Sequence, residues 1–451
     1  MAITSIFEIS KQSLLKHQAA INTTAKNIAN VNTEGYTRLC PDFTSVTGLG
    51  LNQLQQGLTL EGAVQLRQSF AESQILYERQ DLGKHETAEL LYSQIEEIFA
   101  EPSDTGLSNV MSEFWDSWSD LANNPESQTA RSEVKNKGII LARSFNQTYT
   151  QLENLRDNLR KEIDIRVREA NQLITQIGTL NSQIESKPGF DLIDQRNQLL
   201  EQLAEKLPID VLVQESGSVI VSTGGLVLAS NTETHLLGTT TTADGNTMTS
   251  HLTYAESGRV LKLESGELSS LTEIHDTVIP EYQAKMDQMA QALTAQSNRV
   301  HASGYNQSGI TGINFFVPGI DSAVNMAVNP DILNNPQYIA ASASASDKGD
   351  GSVAQQLSDL RYEDIVNGNT VSEAYFTLVG DIGNAKQSSS FLRLNQEKVV
   401  QNLQNQRDAV SAVSLDEEMA RLIQFEQGYN AAARLINTVD EMFDQVLAMM
   451  G

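Results

Sequence analysis

A single cysteine, Cys40, excludes an intramolecular disulfide and any metal site built from several thiolates. Histidine is almost as scarce, and His17, His85, His235, His251, His275 and His301 stand apart along the chain. A histidine-based metal or acid–base centre therefore has no cluster to start from. The nearest approach to a zinc-protease helix, His85-Glu86-Thr87-Ala88-Glu89, carries Glu where the second histidine ligand is required. The glycine-rich stretch at 303–312 lacks the Lys-Ser or Lys-Thr of a phosphate loop. Basic charge is short as well: 31 Lys and Arg against 57 Asp and Glu leave a net charge of -26. That balance offers no basic face to nucleic acid and none to an anionic bilayer. No uninterrupted apolar run is long enough to span a membrane, and no basic start followed by an apolar stretch marks a cleaved secretion signal. These absences predict no catalysis, cofactor or metal, and leave a structural or interaction protein.

What the chain has in abundance is helical periodicity, and it is most regular at the two ends. Phe7, Leu14, Ile21 and Ile28 recur every seven residues, with Ser10, His17, Thr24 and Val31 on the companion positions. Leu415, Leu422, Tyr429, Ile436, Phe443 and Met450 repeat the pattern near the other end, flanked by Phe425, Ala432, Val439 and Val446. Each series predicts one helix of about thirty residues, roughly 45 Å long, whose stripe needs a long helical neighbour. The economical solution pairs the first helix with the last as a coiled coil and lets further copies of the chain cover what remains exposed. Phe7, Leu14, Ile21, Ile28, Leu422, Tyr429, Ile436 and Phe443 are the candidate assembly residues.

Between the ends the pattern changes several times. The first helix should stop near Asn30 to Asn32, where Asn30, Asn32 and Gly35 suit turn geometry, and Tyr36 and Arg38 could anchor that turn onto the helical body. Residues 37–62, with Gly48, Gly50, Gly57 and Gly62 around Leu49, Leu51 and Leu54, read as an extended linker with one hairpin. Helical periodicity returns from Ala63 to Ala100, stopping at Pro102, and Leu107 to Leu121 forms a shorter helix whose Phe114, Trp115 and Trp118 should anchor longer neighbours. Asn124-Pro125 reads as the cap of a very long helix that ends at Lys187-Pro188-Gly189, and Leu192 to Leu207 returns. After Pro208, short Val-, Leu- and Ile-rich runs up to Leu263, separated by Gly turns including Asp244-Gly245-Asn246, predict a small all-β insertion that projects sideways. Helix resumes from Leu268 to Arg299 with a bend at Pro280. Gly304 to Gly319 suggests a tight hairpin, Ala340 to Ser346 an exposed loop and Val353 to Leu360 a short helix. Val371 to Gln406 is a further helix interrupted at Gly380 and Gly383, and acidic pairs such as Glu417-Glu418 read as helix decoration. The expected fold is mainly α with a small all-β insertion, elongated and multi-domain. Residues 1–36 and 407–451 form a paired terminal domain, 37–208 and 266–406 a helical bundle with a small hairpin region, and 209–265 an outer β domain.

Two long motifs sit on those ends. NTTAKNIANVNTEGYTR at 22–38 resembles the rod and hook signature of bacterial flagellar axial proteins. SLDEEMARLIQFEQGYNAAARLINTVDEMF at 414–443 resembles the C-terminal motif of the same family, in the form carried by its hook-associated protein 1 branch. Interior similarities run through Asp194-Gln195-Arg196, Leu199, Pro280-Glu281-Tyr282, Asn298, His301, Gly304, Gly309 and Phe315-Phe316. The resemblance implies a structural adaptor at the hook–filament junction, exported through the flagellar type III apparatus to the extracellular flagellum. It implies as partners copies of itself in a ring, the hook protein, hook-associated protein 3 and a cytoplasmic export chaperone at the C-terminal region. A neighbouring axial component, such as hook-associated protein 3 or hook protein, is the alternative within the family. A secreted adhesion module displaying its β insert is the alternative outside it.

Overall fold

The computed structural model describes residues 2–33, 35–41, 59–60, 63–65, 69–101, 103, 106–244 and 247–450. The glycines and leucines of the expected linker between 42 and 58, Gly62, Pro102 and the Gly245-Asn246 turn lie outside them. Helix α1 (Ala2–Ala29) leads into strands β1 (Leu39–Pro41), β2 (Thr59–Leu60) and β3 (Ala63–Gln65), which form a small antiparallel sheet ordered β1-β3-β2. Residues 63–65 are thus strand where helix was expected, and the helix begins later, at α2 (Ser69–Phe99).

Helix α3 (Leu107–Asn123) packs against the longest element, α4 (Gln128–Ser186), whose 59 residues span roughly 90 Å. The cap of α4 is Ser127, whose side chain accepts from the Ala130 amide, and not Asn124-Pro125. A serine there reaches the third amide of the helix, whereas Pro125 stays in the preceding turn. The α3 aromatics do anchor: Phe114, Trp115 and Trp118 are buried with Phe315 and Phe316, with Trp118 meeting Phe315 at 5.2 Å in a T-shaped pair. Gly138 of α4 makes room for this cluster, because a Cβ there would lie 2.7 Å from the Phe315 ring.

Helix α5 (Phe190–Lys206) turns back along α4 and α2. Strands β4 (Asp210–Val213), β5 (Val219–Thr223) and β6 (Leu226–Ala229) make one antiparallel sheet, and β7 (Leu237–Asp244) with β8 (Thr247–Tyr254) a hairpin. Their inner residues Val219, Val221, Leu228, Leu237 and Leu252 belong to the same apolar core as α4. The expected strand at Val260 to Leu263 reduces to one bridge, between Thr253 and Val260.

The second half begins with α6 (Glu267–Glu273), a π-helical turn at Ile274–Val278 and α7 (Ile279–Ser303). Pro280 lacks an amide and crowds the preceding turn, and the wider π turn accommodates it without a break in the helix. No hairpin forms over 304–319; this coil is held by single bridges, Phe316 to Val328 and Tyr305 to Ser342. For the same reason the Ala340 to Ser346 loop is only half exposed, since Ala340, Ala341 and Ser342 are buried. After α8 (Pro330–Asn334) and α9 (Ser352–Asp359), α10 (Val371–Ser411) runs unbroken through Gly380 and Gly383. Both glycines face open space, and their propensity cost of about 1 kcal/mol each is offset by the capping box of Thr370 and Glu373 and by packing on α2. The last helix, α11 (Leu415–Met450), lies along α1. The molecule is mainly helical and elongated, with small sheets and its two terminal helices packed together.

Candidate functional site

Where the terminal helices meet the body, the turn after α1 folds into a buried polar knot. Asn27, completely inaccessible, donates from Nδ2 to the Leu39 carbonyl at 2.8 Å and to Glu418 Oε2 at 2.9 Å. Its Oδ1 accepts from the Leu39 amide at 3.0 Å and the Tyr36 hydroxyl at 2.9 Å. Arg38 supplies the opposite charge: Nε and Nη2 reach Glu418 Oε1 at 2.9 and 2.7 Å, and Nη2 also meets Glu417 Oε2 at 2.9 Å. The Arg38 amide donates to the Ser411 carbonyl at the end of α10, and the Thr37 amide to Asp194 Oδ2 on α5. Asp194 Oδ1 accepts from Gln65 Nε2 at 2.7 Å. Six elements are therefore tied at one point, namely α1, β1, β3, α5, the end of α10 and the start of α11.

The electrostatics follow from burial. Glu418 is 1% exposed, so its carboxylate has given up water and is paired instead with Arg38, itself 11% exposed. Burial by itself would lower the Arg38 pKa, but hydrogen bonds to Glu418 and Glu417 outweigh it and raise the value. Burial also pushes the Tyr36 phenol up, helped by Asp191, Asp194 and Glu418, which keeps it protonated to donate to Asn27.

Of the expected turn residues, Tyr36 and Arg38 lie in the knot and Asn30 closes α1, its side chain donating to the Lys26 carbonyl at 2.9 Å. Gly35 takes φ +74°, in the left-handed region that favours glycine, beside the Gln198 side chain of α5. Asn32 is exposed. Glu418 was expected to be decoration and is instead the buried anion of the knot. Extending Phe425, Ala432, Val439 and Val446 back by one heptad lands on residue 418, a carboxylate on an apolar seam, and that signal was available in the sequence. Asn27 and Asp194 lie in stretches that carry the family resemblance, the 22–38 motif and Asp194-Gln195-Arg196, but no local periodicity marked either as buried or named its partners.

The terminal pair itself is antiparallel. Asn27 meets Glu418, and further along, Gly428 faces the His17 imidazole so closely that any Cβ there would collide with the ring. Ala20, Thr24, Ala432 and Val439 are buried within the pair. Phe7, Leu14, Ile21, Ile28, Leu422, Tyr429, Ile436 and Phe443 are all half-buried. The apolar side chains most exposed on these helices are different ones, among them Ile6, Ile9, Leu15, Met419, Ile423, Leu435 and Met442.

Among the described residues no group of three or more His, Cys, Asp or Glu side chains could hold a metal, and no helix is long and apolar enough to cross a membrane. Three family models match the chain: the flagellar hook-associated protein FlgK helical domain at 92–316, the flagellar basal body rod FlgEFG protein C-terminal region at 404–449, and the flagella basal body rod protein at 14–37. Flagellar hook-associated protein 1 of Bacillus subtilis is 29% identical over 100% of this chain and 99% of its own length. The protein of the same name from Salmonella typhimurium is 24% identical over 99% and 100%. A solved structure, the flagellar hook junction protein FlgK from Burkholderia pseudomallei, covers 75% of this chain and 100% of its own at a TM-score of 0.65 and 16% identity, which supports the fold. With the helical-domain match in the middle, axial motifs at both ends and end-to-end similarity to its relatives, the chain belongs to the flagellar hook-associated protein 1 family.

Proposed function

We propose that this protein is the structural adaptor that joins the flagellar hook to the filament, assembled at the hook tip after type III export and resident in the extracellular flagellum. The observation that carries the reading is the end-to-end similarity to hook-associated protein 1 chains, on a molecule whose two ends are committed to each other. The partners are copies of itself in a ring, hook protein on one side, hook-associated protein 3 on the other, and before export a chaperone at the C-terminal region. Residues 1–36 and 407–451 form a coiled-coil inner layer, 37–208 and 266–406 the middle, and 209–265 the outermost part. Phe7, Leu14, Ile21, Ile28, Leu422, Tyr429, Ile436 and Phe443, all half-buried in the single chain, are the assembly contacts in this reading. The polar knot then fixes how that pair leaves the body. A hook bends while a filament stays stiff, so an adaptor needs a rigid body and a single, defined attachment to its inner layer.

The test is electron microscopy and motility of cells lacking the gene, complemented with the full-length chain or with one lacking residues 415–451. Bare hooks and shed filament protein in the null, rescued by the full-length chain alone, are the expected result. Normal filaments in the null would reject the adaptor role.

A further inference from the structure

The β insertion leaves one edge of its three-stranded sheet open. Strand β4 is the outer strand of the order β4-β5-β6. On the far side β6 is closed by the returning chain, with the Ser230 amide donating to the Glu233 carbonyl and the His235 amide to the Leu228 carbonyl. The register of β4 on β5 decides which groups β4 presents. The Gln214 amide donates to the Ser218 carbonyl, so bonded pairs alternate back from there through Leu212 with Ile220 and Asp210 with Ser222. Val219, between those pairs, spends its amide and carbonyl on Asn181 instead. Its opposite residue Val213, and Val211 two residues back, therefore point their amides and carbonyls away from the sheet, and among the described residues nothing meets them.

Side chains make this edge apolar on both faces. Leu212 and Val213, which point to opposite faces, are each 66% exposed. Leu212 also stands beside Ile220 in a row across the outer face. Edge strands are ordinarily guarded by lysine, proline or a bulge, and Asp210 at the start is the only charge that β4 carries.

We infer that this edge pairs with the same edge of a second copy, antiparallel about a twofold axis at Leu212, joining the two sheets into one. The strand is complementary to itself in one register. Val211 lies opposite the partner's Val213 and Val213 opposite the partner's Val211, so every outward amide finds an outward carbonyl. Leu212 then faces the partner's Leu212, with Cβ atoms about 5 Å apart, and the Ile220 row continues across the axis. Asp210 falls opposite the partner's Gln214, so no acid meets an acid. A contact this short buries less than the ~1,000 Å² of a stable interface and is reversible. A twofold contact does not repeat around a ring, so the pairing belongs to the free chain, whatever the chain later joins.

The experiment is sedimentation equilibrium of the purified full-length chain over a range of concentrations, with mild oxidation of cysteine variants in a Cys40→Ser background. The wild type should show a reversible monomer–dimer equilibrium. Val213→Pro should abolish it, because the proline removes an outward amide and no bond within the sheet. Leu212→Lys, a substitution at an exposed position, should abolish it too by setting two ammonium groups face to face. Leu212→Cys should form a disulfide dimer, and Ile220→Cys, one strand further from the axis, none. A wild-type chain that stays monomeric up to millimolar concentration, or a dimer that survives both substitutions, would overturn the inference. So would Val211 and Val213 amides that gain exchange protection only when hook or filament protein is added, which would assign the edge to another chain.

Discussion

Glu418 and His301 show how much a single buried group can govern. The His301 ring is 1% exposed in the aromatic cluster, donates through Nδ1 to the Ile313 carbonyl at 2.7 Å, and accepts at Nε2 from the Ala340 amide at 2.9 Å. Burial holds its pKa down at about 4, so the folded protein keeps it neutral where an unfolded chain, near 6.5, would take up a proton. Above pH 6.5 both states are neutral and the group is silent. Between pH 6.5 and 4 the unfolded state binds more protons, so stability falls as pH falls, by about 3 kcal/mol in all. Replacing His301 with Gln should remove that part of the slope, read as the difference between the two chains' urea unfolding free energies at pH 7 and pH 4.5. Equal slopes would mean that the ring is not held neutral. The sequence marked His301 through the family resemblance but not its role, because both hydrogen-bond partners are backbone groups of coil that carries no pattern of its own.

At the scale of elements, one device recurs. Asn27, Asn171, Asn181 and Asn298 each stand on a helix and use the side-chain amide as a one-residue strand, donating to a carbonyl and accepting from the amide of the same residue. They grip Leu39, Leu237, Val219 and Phe316, and so fix β1, β7, β5 and the aromatic coil onto α1, α4 and α7. This explains why the β insertion shares the core of α4. Helices, turns and short strands were legible here from periodicity and from glycine and proline punctuation. The sites where segments dock were not, since an asparagine on a helix face has the same local signature whether it is solvated or clamped. Three of the misread features share that cause: Val260 to Leu263, the coil at 304–319 and the Ala340 loop are positioned by hydrogen bonds to partners outside the segment, such as Leu261 to Leu252, Phe316 to Asn298 and Ala340 to His301, and not by a local pattern. Asn181→Leu should leave the Val219 amide and carbonyl buried without partners, a cost of about 2–4 kcal/mol. Hydrogen exchange should then quicken over 219–229 and stay unchanged in α7. Unchanged protection of β5 would show that packing alone seats the sheet.

For the molecule as a whole, the consequence of the knot is that neither end is independent of the other. Helix α11 gives Glu418 to Arg38 and Asn27, which lie some 380 residues earlier in the chain, and Arg38 in turn bonds the end of α10. This long closure was legible from two seven-residue stripes at the ends, each too apolar to stand alone, and from the motifs on them. The ion pair that locks it was hidden by reading acids in a first helical turn as ordinary. Removing one member of a buried pair strands the other charge, at about 3–5 kcal/mol. Arg38 lies in the turn and Glu418 in α11, so the cost should appear in the terminal pair and not in the body. Glu418→Ala should therefore raise cleavage by a protease within 30–41 and loosen both α1 and α11, while α4 and α7 keep their exchange protection. Arg38→Met combined with Glu418→Leu removes both charges and should restore part of the loss. If Glu418→Ala loosened α11 and left α1 intact, the ends would be ordering separately, and the knot would be a local contact instead of the link between them.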